Sequence, residues 1–188
     1  RPARAVRWDY QEWPAVVAEL AEASEAPVVL VGLSVGGMTA VLAAQASPRV
    51  SGGVVTTLLD MADPAVFVRA ARWRWLGRAS LLGFRLMPAI VDRLSLPLWL
   101  AAPLGKMSGN AAMRDYFASD PLLGGLRVPS RFFRTMHLCR MPGIEMHCPL
   151  LLVHPGADRW TPTETSRQAY ARIEGPKRLR ELSNGSHL

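Results

Sequence analysis

A short β-branched run in this chain ends in a glycine-rich turn and continues into a run of small residues. Residues 28–31 read Val-Val-Leu-Val, residues 32–37 read Gly-Leu-Ser-Val-Gly-Gly, and residues 38–47 suit a helix. A continuous apolar run of this length predicts a strand buried on both faces, as in a parallel sheet. The feature as a whole therefore predicts a strand, a tight turn and a helix in direct succession.

The same alternation recurs on both sides of this unit. Residues 8–24 carry apolar side chains at helical spacing, and residues 50–59 form a second apolar run that predicts a buried strand. The later predicted elements are a buried strand at 149–153, a helix at 162–173 with Thr161 as its N-cap, and a sheet-edge strand at 177–182. This order is typical of an α/β fold with a mostly parallel sheet and helices on both faces.

Residues 63–147 interrupt the alternation. They are rich in Trp, Met, Leu, Pro and Arg and show no clear strand. Their predicted helical pieces are residues 64–76, 79–94, 110–118 and 130–139. Because the segment is too long for an ordinary loop, we expect a helical cap inserted into the sheet. The predicted division is a core segment at 1–60, a cap at 61–147 and a second core segment at 148–188.

The composition limits which classes of binding partner and which cellular location are expected. The net charge is +7, but the arginines are scattered without a tight basic run among aromatics, which argues against nucleic-acid binding. Two cysteines, no signal-peptide pattern and no long apolar run favour a cytoplasmic location. The sequence is compatible with contact with a membrane surface, but no segment predicts it, and it leaves the oligomeric state open.

Ser34 occupies the centre of the glycine-rich turn. A serine at a sharp strand-to-helix turn is strained, exposes its Oγ at the carboxyl end of the sheet, and needs small residues at Gly32 and Gly36. The N–H of Val35 then points to where an oxyanion would form. A phosphate-binding loop would need a Lys-Ser/Thr ending or a G-x-G-x-x-G spacing, and a plain tight turn is the other alternative. We interpret Ser34 as a nucleophile and Val35 as an oxyanion-hole donor.

Three segments of the sequence read VVLVGLSVGGMTAVLAA, LLLVHPGADRWTP and ELSNGSH. Together they resemble the α/β-hydrolase superfamily, above all its monoacylglycerol-lipase and serine-aminopeptidase-like branch. In that family the nucleophile elbow follows strand five, a helical cap follows strand six, the acid follows strand seven and the histidine follows strand eight. The resemblance implies a partial α/β-hydrolase fold in which the acid is Asp158 and the base is His187. Asp60, at the end of the preceding strand, is the reserve acid.

The resemblance also implies the role of each residue. Asp158 would orient the imidazole of His187, which would take the serine proton and return it to the leaving group. The alternatives are a turn aspartate and an exposed histidine in a terminal tail. The other histidines, His137, His147 and His154, lack metal-ligand spacing, so we expect neither a metal nor a cofactor.

The function implied by the resemblance is that of a serine hydrolase that cleaves a carboxylic ester through an acyl-enzyme intermediate. The many large apolar residues of the cap either pack it onto the sheet or roof an apolar pocket. A pocket would favour a small-molecule ester or lipid-like substrate with a hydrophobic acyl or alkyl part. The same scaffold also hosts acyl transfer, C–C bond hydrolysis and cofactor-free peroxidation, and a non-catalytic binding protein is a further alternative.

The length of the chain bears on the second oxyanion-hole donor. In the family four strands precede the elbow strand, and the loop after the third supplies that donor. Here 27 residues precede the predicted elbow strand. The resemblance therefore predicts a piece of a longer protein, and we assign no residue to the second donor. An inactive truncated fragment is an alternative to an active hydrolase.

Overall fold

The computed structural model describes residues 9–140 and 143–187. The helices along these ranges are α1 (Glu12–Glu22), α2 (Val35–Ala46), α3 (Pro64–Ala70), α4 (Arg74–Leu86), α5 (Pro88–Val91), α6 (Leu98–Ala101), α7 (Ala111–Ser119), α8 (Ser130–Leu138) and α9 (Thr163–Ala171). The strands are β1 (Val28–Gly32), β2 (Val50–Val55), β3 (Ser95–Pro97), β4 (Arg127–Pro129), β5 (Ile144–Glu145), β6 (Leu150–Pro155), β7 (Ile173–Glu174) and β8 (Lys177–Leu182). Residues 1–8, including the predicted helix start at Trp8, lie outside the described residues.

A four-stranded sheet in the order β1–β2–β6–β8 forms the centre of the fold. All of its strand pairs are parallel, so the carboxyl ends of the four strands share one edge. Val55 and Leu152, on the central strands β2 and β6, are fully buried. The predicted α/β class with a mostly parallel sheet is confirmed, as is the edge position of β8.

Strand β1 differs from its prediction on one face. Its burial alternates, and Val29 and Val31 are 59% and 70% exposed, while Val28 and Leu30 pack against the core. The reason is that α2 packs against the core-facing side of β1, whereas the side that carries Val29 and Val31 is open to solvent. The prediction that this strand is buried on both faces is therefore wrong for the part of the chain that the structure describes.

Tyr10 ties the start of the described chain to the core. Its side chain is fully buried, its hydroxyl lies 2.8 Å from Thr39 Oγ1 on α2, and its backbone N–H donates to Thr135 Oγ1 on α8 at 2.8 Å. Burial raises the pKa of Tyr10 above its ordinary value. One buried aromatic residue thus joins α8, which lies in the long connection, to the helix that follows β1.

The connection between β2 and β6 is mostly helical and contains α3 to α8. It also contains strands: β3 pairs antiparallel with β4, and near its end β5 pairs parallel with β7. The prediction of no strand in this segment is therefore wrong. Strands of two or three residues are too short to produce an alternating pattern that a sequence reading detects.

Two predicted helices of this connection are divided in the structure. The piece predicted at 64–76 is split between α3 and the start of α4 by Ala71–Trp73, and the piece predicted at 79–94 is split between α4 and α5 at Met87. Pro88 begins α5, because proline suits the first turn of a helix and disrupts a helix interior. Within the described ranges no helix has the combination of length and apolar character that crossing a membrane requires.

Candidate active site

Ser34 lies in a strained turn between β1 and α2. Its φ is 53° and its ψ is −121°, and no other described residue except a glycine has a positive φ. Such a conformation costs of order 1–3 kcal/mol and persists only where the surroundings hold it in place. Here the Gly36 N–H donates to Leu33 O at 2.8 Å, and the Thr56 N–H donates to Gly32 O at 3.0 Å. The turn is therefore braced both internally and by the end of β2.

The glycines around Ser34 contribute unequally to this turn. A Cβ at Gly32 would lie 2.3 Å from Gly36 O, and one at Gly37 would lie 2.0 Å from Thr57 O. A Cβ at Gly36 would meet nothing within 4 Å. The expectation that Gly36 must be small is therefore wrong, and Gly37 has that role instead, because α2 approaches the backbone after β2 at that point.

Ser34, His187 and Asp158 form one hydrogen-bonded line. His187 Nε2 is 2.8 Å from Ser34 Oγ, and His187 Nδ1 is 2.7 Å from Asp158 Oδ2. The side chains of His187 and Asp158 are fully shielded from solvent. The three residues follow β1, β8 and β6, and they meet because those parallel strands end at one edge of the sheet.

The Asp158 carboxylate sets the arrangement of protons in this line. It accepts N–H bonds from Trp160 at 2.7 Å and Thr161 at 2.9 Å, in addition to His187. Burial acts to raise the pKa of Asp158, but hydrogen bonds from His187 and Thr161 outweigh it and hold that pKa below its usual value. An ionised carboxylate only accepts hydrogen bonds, so neutral His187 carries its proton on Nδ1. The bare Nε2 then faces the Ser34 hydroxyl as a proton acceptor.

Thr161 belongs to this site, which the sequence reading did not indicate. Its predicted role as N-cap is wrong, because α9 begins at Thr163 with Pro162 at the cap position. The Thr161 hydroxyl instead donates to Asp158 Oδ2 at 2.5 Å and lies 3.1 Å from His187 Nδ1. The sequence signal for this role was that Thr161, a hydroxyl residue, lies three positions after Asp158. A hydroxyl residue just before a predicted helix is equally typical of an N-cap.

Trp160 contacts both the site and the long chain segment between β2 and β6. Its ring lies 4.7 Å from the His187 ring between centroids, and its indole N–H donates to Ala70 O, at the end of α3, at 2.9 Å. A tryptophan in a loop carries no sequence signal for such a contact. The position of the His187 ring is thus coupled to the connection through a single side chain.

Val35 directly follows Ser34 and begins α2. As the first residue of α2, it has no helical carbonyl to accept its N–H, and that N–H lies at the positive end of the helix dipole. The N–H is therefore available to an oxygen that develops negative charge next to Ser34.

Asp60, the reserve acid, is buried but has other partners. Its Oδ2 lies 2.8 Å from the Arg172 guanidinium, and its Oδ1 accepts the N–H of Ala62 at 3.1 Å. The structure thus places Asp158 against His187 and directs Asp60 to a salt bridge.

The remaining histidines have hydrogen-bond partners outside this line. His137 Nδ1 is 2.8 Å from Met61 O, and His147 Nε2 is 3.0 Å from Val50 O. His154 is fully buried, and burial lowers its pKa below the usual value. Among residues 9–140 and 143–187, no three His, Cys, Asp or Glu side chains form a group that could hold a metal ion.

A cavity of about 380 Å³ opens beside Ser34 and Val35. Most of its wall comes from α3, α4, α8 and the segments between them, and no charged side chain of the described residues lines it. Its larger lining residues include Leu59, Phe67, Phe84, Leu94, Phe133 and Trp160. A volume of this size is typical of a small-molecule site, and its apolar wall suits an aliphatic or aromatic group.

The family model described as serine aminopeptidase, S33, matches residues 9–188. No curated protein matches the chain significantly. Among solved structures, the chain is similar to a monoacylglycerol lipase of Paleococcus ferrophilus, with 20% identity, a TM-score of 0.67, and coverage of 96% of this chain and 67% of that one. It is also similar to mouse α/β hydrolase domain-containing protein 10, with 21% identity, a TM-score of 0.57, and coverage of 95% and 62%.

A third similar structure is the esterase domain of a Rhodothermus marinus protein, with 19% identity, a TM-score of 0.56, and coverage of 95% of this chain and 60% of that one. The chain thus spans about two thirds of the length of these proteins, and at this identity the likeness concerns the fold.

Proposed function

Because the chain belongs to the serine aminopeptidase S33 family of α/β hydrolases, we propose that it hydrolyses a carboxylic ester with an apolar acyl or alkyl part. The observation that carries the proposal is the line from Ser34 Oγ through His187 to Asp158, with distances of 2.8 and 2.7 Å. A monoacylglycerol lipase and an esterase domain are among the similar structures, which is in keeping with an ester substrate.

In the proposed reaction Ser34 Oγ attacks the ester carbonyl carbon while its proton passes to His187 Nε2. Asp158 stabilises the resulting imidazolium through Nδ1, and the Val35 N–H donates to the tetrahedral oxyanion. Collapse of this intermediate breaks the bond to the alkoxide, which takes the proton from His187 and leaves as an alcohol. The acyl group remains on Ser34.

Water then releases the acyl group by the same route. His187 accepts a proton from the water as its oxygen attacks the acyl carbon, and returns that proton to Ser34 Oγ as the carboxylic acid departs. The low pKa of Asp158 supports this cycle, because the carboxylate stays ionised while His187 gains and loses its proton.

We infer that the segment predicted as residues 61–147 acts as a cap over the site. It contributes most of the apolar cavity wall, and Trp160 bonds to its α3. An apolar wall without charged groups favours esters whose acyl or alkyl part transfers from water into the cavity, at about 0.8 kcal/mol for each buried methylene. We therefore expect kcat/KM to rise with acyl chain length until the cavity is full.

A fluorophosphonate probe and a series of p-nitrophenyl esters test the proposal. The wild-type protein should be labelled at Ser34, and Ser34→Ala should lose both the label and the hydrolysis. Ser119→Ala, which changes an exposed serine on α7, is the matched control and should keep both. Label retained in Ser34→Ala, or ester hydrolysis that survives in it, would contradict the proposal.

A further inference from the structure

The outer face of α4 and α5 exposes a row of large apolar side chains. Trp75, Leu82 and Leu86 are 64%, 58% and 63% exposed, and their spacing of seven and four residues places them on one line of α4. Met87, between α4 and α5, and Ile90 on α5 are also 51% and 59% exposed. We call these five residues the outer face. A concentration of large exposed apolar side chains of this kind is typical of an interaction site.

Positive charge accompanies the outer face. Residues 64–91 contain five arginines and no acidic residue. Arg78 and Arg85 are both exposed. Because they are seven residues apart, they lie on one side of α4, next to the line of apolar side chains. Asp92, just beyond, is neutralised by Arg134 at 2.6 Å and Arg131 at 3.4 Å. The surface is thus apolar at its centre and cationic at its border.

This charge pattern discriminates among partners. A second copy of the chain would bring the same arginines together, and like charges facing each other destabilise an interface. A lipid surface with anionic headgroups instead attracts arginines, while Trp and Leu side chains enter the boundary between headgroups and acyl chains.

The opposite side of α4 lines the cavity. Leu76, Ser80 and Phe84 belong to the cavity wall, and Gly77 is buried against Val68 of α3. One helix therefore separates the outer face from the cavity that contains Ser34. A surface bound at the outer face would lie one helix diameter from the apolar space.

We propose that the outer face docks on the surface of an anionic phospholipid bilayer. Trp75, Leu82 and Leu86 enter the interface, and Arg78 and Arg85 bind the headgroup phosphates. The docking does not depend on the chemistry at Ser34. Its consequence, that docking holds the cavity within one helix diameter of esters dissolved in the bilayer, rests on the proposed function.

Sedimentation with lipid vesicles tests the docking. The protein should bind phosphatidylglycerol vesicles, bind phosphatidylcholine vesicles far more weakly, and lose affinity as salt increases. Arg78→Gln and Arg85→Gln should each weaken binding about fivefold. Leu82→Ser with Leu86→Ser should weaken it roughly tenfold or more.

Matched controls change equally exposed residues elsewhere. Leu122→Ser removes a side chain that is 77% exposed, and Arg178→Gln with Arg180→Gln removes two exposed charges from β8. Both variants should bind vesicles like the wild type. Circular dichroism melting curves identify any variant that has lost its fold, and the comparison then uses Leu82→Gln or Leu86→Gln.

Three outcomes would overturn the docking. They are no binding to phosphatidylglycerol vesicles at low salt, equal binding by wild type and outer-face variants, and a change from dimer to monomer in those variants by light scattering. Hydrolysis of a water-soluble short ester should be the same in all variants, and hydrolysis of a vesicle-borne ester should fall with binding. A wild type that binds vesicles but hydrolyses no ester would refute the proposed function and leave the docking intact.

Discussion

The carboxyl edge of the sheet and the connection between β2 and β6 contribute different things to the site. The edge supplies the hydrogen-bonded polar side chains, Ser34, Asp158 and His187, each a few residues beyond the end of a strand. The connection supplies most of an apolar cavity wall without a charged group among the described residues. Trp160 joins the two, since its ring lies against His187 and its indole N–H bonds to α3.

Because of this difference, we expect the two regions to tolerate amino-acid substitutions unequally. At the edge, hydrogen bonds of 2.5–2.9 Å and a strained turn depend on backbone positions that cannot adjust without loss of the line. In the cavity wall, apolar side chains can repack around a changed volume at a moderate cost. Changes at the edge should therefore abolish activity, and changes in the wall should alter which substrate is preferred.

The largest expected effect follows from removing the imidazole. His187→Ala should lower kcat by about 10⁴-fold or more, because Ser34 loses its proton acceptor. His147→Ala is the control, since its ring bonds to Val50 O, away from the line. Initial rates with a p-nitrophenyl ester measure both. A loss of less than tenfold in His187→Ala would contradict the assigned role.

The second prediction compares two neighbouring glycines of the elbow. Gly37→Ala places a Cβ 2.0 Å from Thr57 O and should lower the free energy of unfolding by about 3 kcal/mol or more. Gly36→Ala meets no atom within 4 Å and should be neutral or stabilise the helix by up to about 1 kcal/mol. Urea unfolding curves measure both. Equal stability of the two variants would show that the elbow does not depend on this close approach.

Thr161→Val tests the hydrogen bonds around the acid. Loss of the hydroxyl that donates to Asp158 should lower kcat roughly ten- to hundredfold, because hydrogen bonds to charged groups contribute about 1.5–3 kcal/mol. Thr161→Ser keeps the donor and should restore most of the activity. If the serine variant were as slow as the valine variant, packing rather than the hydrogen bond would explain the effect.

A fourth prediction concerns the cavity wall. Ser80→Leu puts a larger side chain into the cavity wall, which reduces the free volume and should lower kcat/KM for a long-chain ester about tenfold relative to an acetate ester. Hydrolysis of the acetate itself should change little, in contrast to the edge variants. Ala112→Leu, on an exposed part of α7, is the size-matched control. An equal loss for both esters in Ser80→Leu would mean that the wall also positions the reacting groups.

The smallest expected effect is on the pH dependence of stability. Burial lowers the pKa of His154 more than Asp158 and Glu181 raise it, so the unfolded chain binds this proton first as the pH falls. The free energy of unfolding should therefore decrease as the pH drops below about 6.5, the ordinary histidine value. His154→Gln should show a shallower decrease between pH 7 and 5 in thermal melts. A steeper decrease in the variant would reverse the assigned sign.

Several parts of the fold were predictable because their signals are local. Apolar runs at residues 28–31, 50–59 and 149–153 identified β1, β2 and β6, and proline and glycine marked the ends of most elements. The assignment of Asp158 and His187 to follow Ser34 as acid and base came from a family resemblance. A resemblance shows which sequence positions correspond, but it gives no distances between side chains. The short strands β3 and β4 have no such pattern, and their pairing joins residues far apart along the chain.

Two errors in the site region have a common physical cause. The sequence suggested Gly36 as the small residue of the turn and Thr161 as a helix cap. In the structure, Gly37 meets the backbone of Thr57, and Thr161 bonds to Asp158 and His187. In each case the deciding partner belongs to another segment, so a rule based on neighbouring positions selects the wrong residue or the wrong role.

By itself the sequence determined the succession of strands and helices in the four-stranded sheet region and the serine turn, because hydrophobic periodicity and turn chemistry act over a few residues. Only the tertiary structure decided that the side chains of Ser34, Asp158 and His187 meet within hydrogen-bonding distance beyond three strand ends. It also decided that Trp160 links this site to the cavity wall. It also decided which face of α4 is open to solvent. These are properties of parallel strand order and of packing between distant segments, which a pattern of neighbouring residues does not contain.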